Sequence, residues 1–188
     1  MTAPDRPLRA DARRNRDTIV AAARAAFAAA DDSVPLEGIA RDAGVGIGTL
    51  YRHCPTREAL VEAVYAAELD DVTGSAPALL AKFPPDAALR AWMDRYAEFS
   101  TRKRGMIGTL RAGWSAGRIT PRTRERINAA IAAILSAGRQ SGAFRGDVEA
   151  DDVTSMLLGV FLSTAPSGAT DQTRRLLDLL VDALRPVS

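Results

Sequence analysis

The amino-acid sequence predicts an all-α protein with two domains. Apolar residues recur at i, i+3 and i+4 along most of the chain, and the sustained alternation of apolar and polar residues that is typical of β-strands is not found. The chain has 188 residues, of which 47% are hydrophobic, and this is enough to bury a core. Turn-forming residues at 73–77, followed by Pro84 and Pro85, separate a predicted first domain, residues 1–70, from a second, residues 71–188.

The first domain is predicted to begin with a helix over about residues 11–30, which Asp31, Asp32 and Ser33 end. The buried face of this helix carries Ile19, Ala23, Phe27 and Ala30. Pro35 suits the first turn of a short second helix, and Thr56 can cap a fourth helix that runs to Leu69. The second helix places Leu36, Ile39, Ala40 and Ala43 inward.

The second domain is predicted to hold five further helices. Thr120-Pro121 is a start signal and Gly105 is a stop signal. The predicted helices span residues 86–103, 106–114, 121–138, 149–164 and 171–184.

Between the second and fourth helices, the segment IARDAGVGIGTLYRHCPTREAL, residues 39–60, has the spacing of a helix-turn-helix over about residues 35–54. Ala40 is small where a second helix crosses above it, and Gly44 falls at the turn, where a positive φ is favoured. Val45 and Leu50 then anchor the second of the two helices. The first domain is therefore predicted to be a three-helix helix-turn-helix DNA-binding domain.

The remaining side chains of this third helix lie on or near an outward face, which can enter the major groove of DNA. They are Ile47, Gly48, Thr49, Tyr51, Arg52 and His53. Glycine costs about 1 kcal/mol in a helix interior relative to alanine. Gly46 fits the N-cap, and Gly48 would let the backbone approach DNA closely; loop flexibility is the alternative for both.

His53 and Cys54 are the only histidine and cysteine of the chain. Adjacent helical residues project about 100° apart, so these two cannot exchange a proton. A zinc site needs three or four ligands, which the chain does not offer beyond carboxylates. We therefore predict no catalytic site, no metal site, no cofactor and no enzymatic activity. Cys54 is expected to fill an apolar gap, and His53, with Tyr51 and Arg57, to hydrogen-bond phosphate oxygens.

Charge is distributed unevenly along the chain. Up to Arg24 there are six arginines and three aspartates, whereas from Glu58 onward sixteen basic residues balance sixteen acidic ones. This asymmetry favours an anionic partner for the N-terminal end, or else a solvated leader. A single cysteine excludes an internal disulfide, and neither a secretory signal nor an apolar run of about 18 residues occurs. We expect a cytoplasmic protein with no membrane partner.

The segment 39–60 resembles the DNA-binding signature of the TetR/AcrR family of transcriptional regulators, IA-x-x-AGV-x-x-G-T-LY-x-HF-x-x-K-x-x-L. The resemblance extends over about residues 12–65, because RDTIVAAARAAF is similar to the family's first helix. Beyond Asp70 the resemblance is one of architecture, and it implies a helical ligand-binding and dimerisation domain.

The resemblance also implies roles for individual residues. Phosphate contacts are implied for Thr49, Tyr51, His53 and Arg57. Base-edge contacts are implied for Ile47, Gly48 and Arg52, with Tyr51 able to share that role. Three departures stand out: Cys54 replaces phenylalanine, Arg57 replaces lysine, and Gly46 and Ile47 replace polar residues. Ile47 could contact a thymine methyl group instead of a polar base edge.

Two predictions concern the second domain. A small apolar or aromatic effector is expected between Trp92, Met93, Tyr96, Phe99, Met106, Leu110 and Trp114, for which ordinary core is the alternative. In the last two helices, apolar residues cover more of the helix surface than one packing partner needs. This predicts a four-helix bundle formed by two chains; burial inside one chain is the alternative. The dimerisation residues are Val153, Met156, Leu157, Val160, Phe161, Leu177, Leu180 and Leu184.

Together these features predict a homodimer that binds an inverted repeat in double-stranded operator DNA. It would repress transcription until a small hydrophobic ligand releases it. The alternatives are an activator, a regulator without an effector, or a helical protein-interaction module.

Overall fold

The computed structural model describes residues 5–30, 34–110, 121–164 and 170–186, and helices joined by short turns and loops make up these segments. Side chains are described for residues 11–28, 34–101, 122–164 and 170–186. No strand occurs in these segments, and the all-α prediction is confirmed. The helices are α1 (Asp5–Ala30), α2 (Leu36–Asp42), α3 (Ile47–His53), α4 (Arg57–Thr73), α5 (Ala76–Lys82), α6 (Pro85–Leu110), α7 (Pro121–Gln140), α8 (Ala150–Thr164) and α9 (Thr170–Ala183).

The helices fall into two compact units. The first holds the described residues up to Glu68 together with 101–110, and the second holds residues 69–100 and the described residues from 121 onward. The domain division at residues 1–70 and 71–188 remains a prediction.

In the first unit, α1, α2 and α3 pack on one another in pairs. Ile19, Ile39 and Leu50 are fully buried where these helices meet, and α4 adds its own buried face. That face comprises Leu60, Val61, Val64 and Tyr65. The apolar faces predicted for α1 and α2 are confirmed at their described positions by the burial of Ala23, Phe27, Leu36, Ala40 and Ala43.

The turn between α2 and α3 follows the predicted chemistry. Gly44 has φ 68°, and the Val45 N–H donates to the Ala40 carbonyl at 3.0 Å. Gly46 is the N-cap of α3, and Thr56 Oγ1 accepts the Ala59 N–H at 3.2 Å where α4 begins. Pro35 is the N-cap of α2 and not part of its first turn. The glycine turn and the threonine cap thus fix how α3 leaves α2 and how α4 follows.

In the second unit, α7 packs on α5 and α8, and α8 packs on α9. The core contains Leu89, Trp92, Met93, Tyr96, Phe99, Ile127, Ile131, Ile134, Val153, Leu157, Leu177 and Leu180. After α7 the chain turns through Gly142 at φ 73°, and the Arg145 N–H donates to the Leu184 carbonyl at 2.8 Å. This bond ties the loop before α8 to the end of α9.

Three predicted boundaries are corrected by the structure. Residues 76–82 form α5, where the sequence indicated only a break; Pro77 stands in the first turn, which tolerates proline. The two helices predicted on either side of Gly105 are one helix, α6, as far as Leu110. The first helix begins at Asp5 and not near residue 11.

Candidate functional site

Helix α3 presents most of its surface to solvent, and Leu50 is its only buried residue. The side chains of Ile47 and Tyr51 are 38% and 45% exposed, and they stand one helical turn apart. Gly48 and Arg52 are also exposed, whereas Thr49 and His53 are half-buried. The face that the sequence assigned to base reading is therefore apolar at Ile47 and Tyr51 and cationic at Arg52.

Arg52 lies along its own helix. Its Nε donates to the Gly48 carbonyl at 3.1 Å, and its Nη2 donates to Thr49 Oγ1 at 3.3 Å. Both contacts are solvent-exposed, so a stronger acceptor such as a guanine edge could exchange for them at small cost.

The surface around Gly48 is open. A Cβ added at Gly46 or Gly48 would meet no atom within 4 Å, and neither residue has a positive φ. Internal packing therefore does not require glycine at either position. At Gly44, by contrast, the positive φ itself favours glycine.

Cys54 is buried at the C-cap of α3, with 2% of its surface exposed. Burial raises the pKa of the Cys54 thiol, although the charge of nearby Arg16 acts in the opposite direction. A protonated, enclosed thiol is a poor nucleophile, and the predicted packing role of Cys54 agrees with this placement. Within the described residues, no group of three potential metal ligands is found.

Arg57, predicted to hold phosphate, already has an internal partner. Its Nη2 donates to the Val34 carbonyl at 2.7 Å and so links the start of α4 to the segment before α2. The side chain is half-buried. Arg57 therefore supports the domain in addition to any contact with DNA.

An ion pair between Arg24 on α1 and Glu68 on α4 was not predicted. Glu68 is only 1% exposed, and such a buried carboxylate needs a partner. The signal was present, because Glu68 follows Leu60 and Val64 at i+4 steps along the buried face of α4. The pair joins α1 and α4 within the first unit.

The aromatic side chains of α6 form a packed cluster. Trp92 stacks on Tyr96 with ring centroids 5.5 Å apart, and Tyr96 also contacts Phe99 at 5.8 Å and Phe161 at 5.5 Å. The Trp92 indole N–H donates to the Val72 carbonyl at 3.0 Å, and Met93 is fully buried beside it. Of the other predicted pocket residues, Trp114 and the side chains of Met106 and Leu110 lie outside the described residues.

Most of the residues predicted for dimerisation are buried inside one chain. These are Val153, Leu157, Phe161, Leu177, Leu180 and Leu184, each at most 7% exposed. They have little surface left for a second chain, because α8 packs between α7 and α9. Met156 is 45% exposed and Val160 is half-buried, while Leu162 and Leu179 are 70% and 62% exposed. The apolar surface open to a partner therefore lies on the other sides of α8 and α9.

Polar contacts connect α7 to α8. Arg124 donates from Nε and Nη2 to the two oxygens of Asp151 at 2.6 and 2.8 Å, and Asn128 Nδ2 donates to the same carboxylate at 2.8 Å. Thr154 Oγ1 donates to Asn128 Oδ1 at 2.6 Å. The hydrogen bonds from Arg124 and then Asn128 lower the pKa of Asp151 to about 2. The network holds the two helices in register.

A membrane-crossing helix, which would need to be both long and strongly apolar, is not found in the described parts of the chain.

Two family models match the sequence. The model described as "Bacterial regulatory proteins, tetR family" matches residues 19–64, which include α2, α3 and the start of α4. The model described as "Transcriptional regulator SbtR-like, C-terminal domain" matches residues 84–186, more than half of the chain. A search of curated proteins found no match.

Solved structures resemble the chain over nearly its whole length. A TetR transcriptional regulator from Streptomyces coelicolor is 42% identical, with a TM-score of 0.78, over 92% of this chain and 99% of its own. A TetR transcription regulatory protein from Mycobacterium vanbaalenii is 31% identical, with a TM-score of 0.73, over 96% and 100% of the two chains. A transcriptional regulator from Cytophaga hutchinsonii shares the fold, with a TM-score of 0.75 at 18% identity over 90% and 98% of the two chains.

Proposed function

We propose a specific regulatory role from one premise: this chain belongs to the TetR family of bacterial transcriptional regulators. It is therefore a DNA-binding regulator. In our proposal it binds an inverted-repeat operator as a homodimer in the cytoplasm and represses transcription. A small apolar or aromatic molecule then releases it from DNA.

The observation that carries the DNA-binding role is the exposure of one face of α3. Ile47, Tyr51 and Arg52 are exposed on α3. Leu50 anchors this helix in the core, and Gly44 and Gly46 provide the turn and the N-cap that set its direction. An α-helix about 10–12 Å across fits a major groove about 12 Å wide, so this face meets base edges. A module that only bound another protein would not need its glycines and arginine on that face.

The test is selection of bound sequences from a random DNA library, followed by gel-shift on the selected site and on the region upstream of the protein's own gene. We expect an inverted repeat whose half-site centres are about 34–36 Å apart or a multiple of this. Failure to enrich any sequence, with the protein folded, would argue for an interaction module instead. Whether the regulator represses or activates is read from the direction of change of the downstream transcript when the gene is deleted.

We propose that the effector which releases DNA binds at the aromatic cluster of α6. Trp92, Tyr96 and Phe99 are the largest buried aromatic group of the second unit, and Phe161 joins them from α8. Because these rings already contact one another, an effector must enter beside them and displace at least one ring. Tyr96, which contacts three rings, is the natural one to move.

A ligand can release DNA only by binding the DNA-free conformation more tightly than the DNA-bound one. A preference of about 10⁴-fold, or 5.5 kcal/mol, converts a 1:99 equilibrium into 99:1. By reciprocity, operator DNA must weaken ligand binding by the same factor. The test is to titrate hydrophobic compounds against tryptophan fluorescence and gel-shift together, with and without operator. A compound that changes the tryptophan fluorescence but binds equally well in both conditions is not the effector.

For dimerisation we propose the exposed apolar surface of α8 and α9. Met156 and Leu162 border a stripe of small residues on α8, namely Ser155, Gly159 and Ser163, and Leu179 stands exposed on α9. A Cβ added at Gly159 would meet no atom within 4 Å, so the surface there is open. Small residues between larger apolar ones allow two helices to approach closely, and two copies of this surface would form a four-helix bundle.

Leu179→Arg and Leu177→Arg form a matched pair for this proposal. Leu179 is 62% exposed, so its replacement should leave a folded monomer with weakened operator binding, whereas Leu177 is 1% exposed and its replacement should unfold the second unit. Sedimentation and circular dichroism separate the two results. A wild-type chain that stays monomeric at micromolar concentration would eliminate the bundle.

A regulator without an effector is the second candidate, and the completeness of the aromatic packing favours it. Trp92 and Met93 are fully buried, and the indole N–H is satisfied by Val72. Tyr96→Ala opens space in the cluster. If this variant keeps the operator affinity of wild type and no compound changes the tryptophan fluorescence, the second candidate replaces the first.

A further inference from the structure

Arg16 lies on α1 immediately before the part of that helix that packs against α2 and α3. The buried positions of α1 are Ile19, Ala23 and Phe27, and Arg16 stands three residues before the first of them. Residues three apart share a face, so Arg16 continues this face one turn toward the N-terminus, where its side chain is exposed. Because α1 also packs on α3, this extension of the face lies beside the region where the two helices meet.

The charge of Arg16 also reaches the C-terminal end of α3: it acts to lower the pKa of Cys54, the C-cap of α3, although burial has the larger effect and raises that pKa. His53, which the family resemblance assigns to phosphate, is the residue before Cys54. Arg16 therefore acts on the end of α3 that carries His53, one of the predicted phosphate contacts.

Among the described residues Arg16 forms no ion pair with a carboxylate, in contrast to three other arginines of this unit. Arg14 pairs with Asp11, Arg24 with Glu68, and Arg41 with Asp42. A cation that is exposed and not neutralised attracts an anion more strongly than one that already has a carboxylate beside it.

We propose that Arg16 binds a DNA phosphate and extends the protein–DNA interface from α3 onto α1. The inference depends on the DNA-binding function argued above. A helix seated in the major groove nearly fills its width, so cations on elements packed beside that helix face the phosphates at the groove edge. Arg16 is not among the residues that the resemblance assigned to DNA, and the family model begins after it, at Ile19.

The experiment compares Arg16→Gln with Arg14→Gln. Both variants remove one exposed positive charge from the same helix, two positions apart and hence on nearly opposite faces, but Arg14 already pairs with Asp11. Binding is measured on the selected operator and on a random duplex at 50 and 200 mM salt. A lost phosphate contact should flatten the salt slope by about 0.9 for Arg16→Gln on both duplexes, so its disadvantage should shrink about threefold between the two salts. Arg14→Gln should keep the wild-type slope.

Arg16→Lys should restore most of the slope, because a phosphate contact needs charge more than fork geometry. Far-UV circular dichroism checks that each variant is folded; a folded Arg16→Gln variant with the slope of wild type, or of Arg14→Gln, overturns the proposal. A loss confined to the operator would make Arg16 a base-reading residue and would also overturn it. If wild-type protein binds neither duplex at 50 mM salt, the DNA-binding function fails first, and the Arg16 proposal fails with it.

Discussion

Helices α3 and α6 both carry large side chains at positions i and i+4, but these side chains are exposed in α3 and buried in α6. In α3, Ile47 and Tyr51 stand at i and i+4 and are 38% and 45% exposed. In α6, Trp92 and Tyr96 have the same spacing but are 0% and 4% exposed. The spacing predicts a shared helix face, whereas burial depends on what lies opposite that face.

The two helices differ in what lies opposite them. Helix α3 has seven residues and packs on α1 and α2, and Leu50 is the one residue of α3 that is buried. Helix α6 has the backbone of Val72 and the ring of Phe161 against its aromatic side chains. Large apolar side chains that the described part of the chain leaves uncovered are available for a partner, and those of α3 meet this condition.

The largest expected effect tests the buried half of the comparison. Trp92→Ala should lower the free energy of unfolding by about 3–5 kcal/mol, because it creates a cavity and leaves the Val72 carbonyl without its donor. Tyr51→Ala should change stability by less than about 0.5 kcal/mol while weakening DNA binding. Urea unfolding followed by far-UV circular dichroism at one protein concentration measures both. Equal costs for the two substitutions would mean that the contrast in exposure has no energetic consequence.

The next effect concerns specificity on the exposed side. Arg52→Ala should cost about 1–3 kcal/mol of binding on the selected operator if the guanidinium reads a guanine with two hydrogen bonds. On a random duplex the loss should be smaller, since only a general charge is removed. Arg41→Ala on α2, also an exposed arginine, is the control for charge. Equal losses on both duplexes would assign Arg52 to phosphate.

A smaller effect is expected at two glycines of the helix-turn-helix, where substitution by alanine should change the free energy of unfolding in opposite directions. Gly48→Ala should raise the free energy of unfolding by about 0.4–1 kcal/mol, because the position is helical and open. The added methyl group should at the same time weaken DNA binding if backbone and DNA approach closely there. Gly44→Ala should instead destabilise the domain, since its φ is 68°. A Gly48→Ala variant that gains stability and keeps full affinity would show that this surface does not touch DNA.

The smallest effect is a pH dependence in the polar contacts of the second unit. The pKa of Asp151 is about 2, below its ordinary 3.8, so its contribution to stability is present above pH 3.8 and is lost as the pH falls through about 2. The urea midpoint of Asp151→Asn should therefore lie below that of wild type at pH 6 and approach it near pH 2. Arg124→Gln removes the main partner and should show the same convergence. A gap that stays constant down to pH 2 would contradict the assignment.

Local chemistry made several features predictable from the sequence. Gly44, Gly46 and Thr56 each have a backbone role that depends on a few neighbouring residues, and all three have it in the structure. Two of the three boundaries that were wrong involve Pro77 and Gly105. Proline both starts helices and ends them, and one interior glycine costs only about 1 kcal/mol, so neither residue decides alone.

Long-range partners could not be predicted from the sequence. The pairing of Arg24 with Glu68 and the bond from Arg57 to Val34 join residues 44 and 23 positions apart. In α8 and α9, the sequence indicated large apolar faces but not which chain would cover them. Leu177 and Leu180 are covered by their own chain, and Leu179, between them in the sequence, is not.

The hydrogen bond from Arg57 to Val34 has an entropic consequence. A free arginine side chain samples many rotamers, and immobilising such a side chain at an interface costs about 0.5–1.5 kcal/mol. The Val34 carbonyl restrains the guanidinium of Arg57 before any ligand arrives, so that part of the cost is met when the domain folds. If Arg57 binds phosphate, it therefore contributes a pre-ordered charge, and Arg57→Lys, which keeps the charge but loses the planar fork, should make operator binding less favourable in entropy.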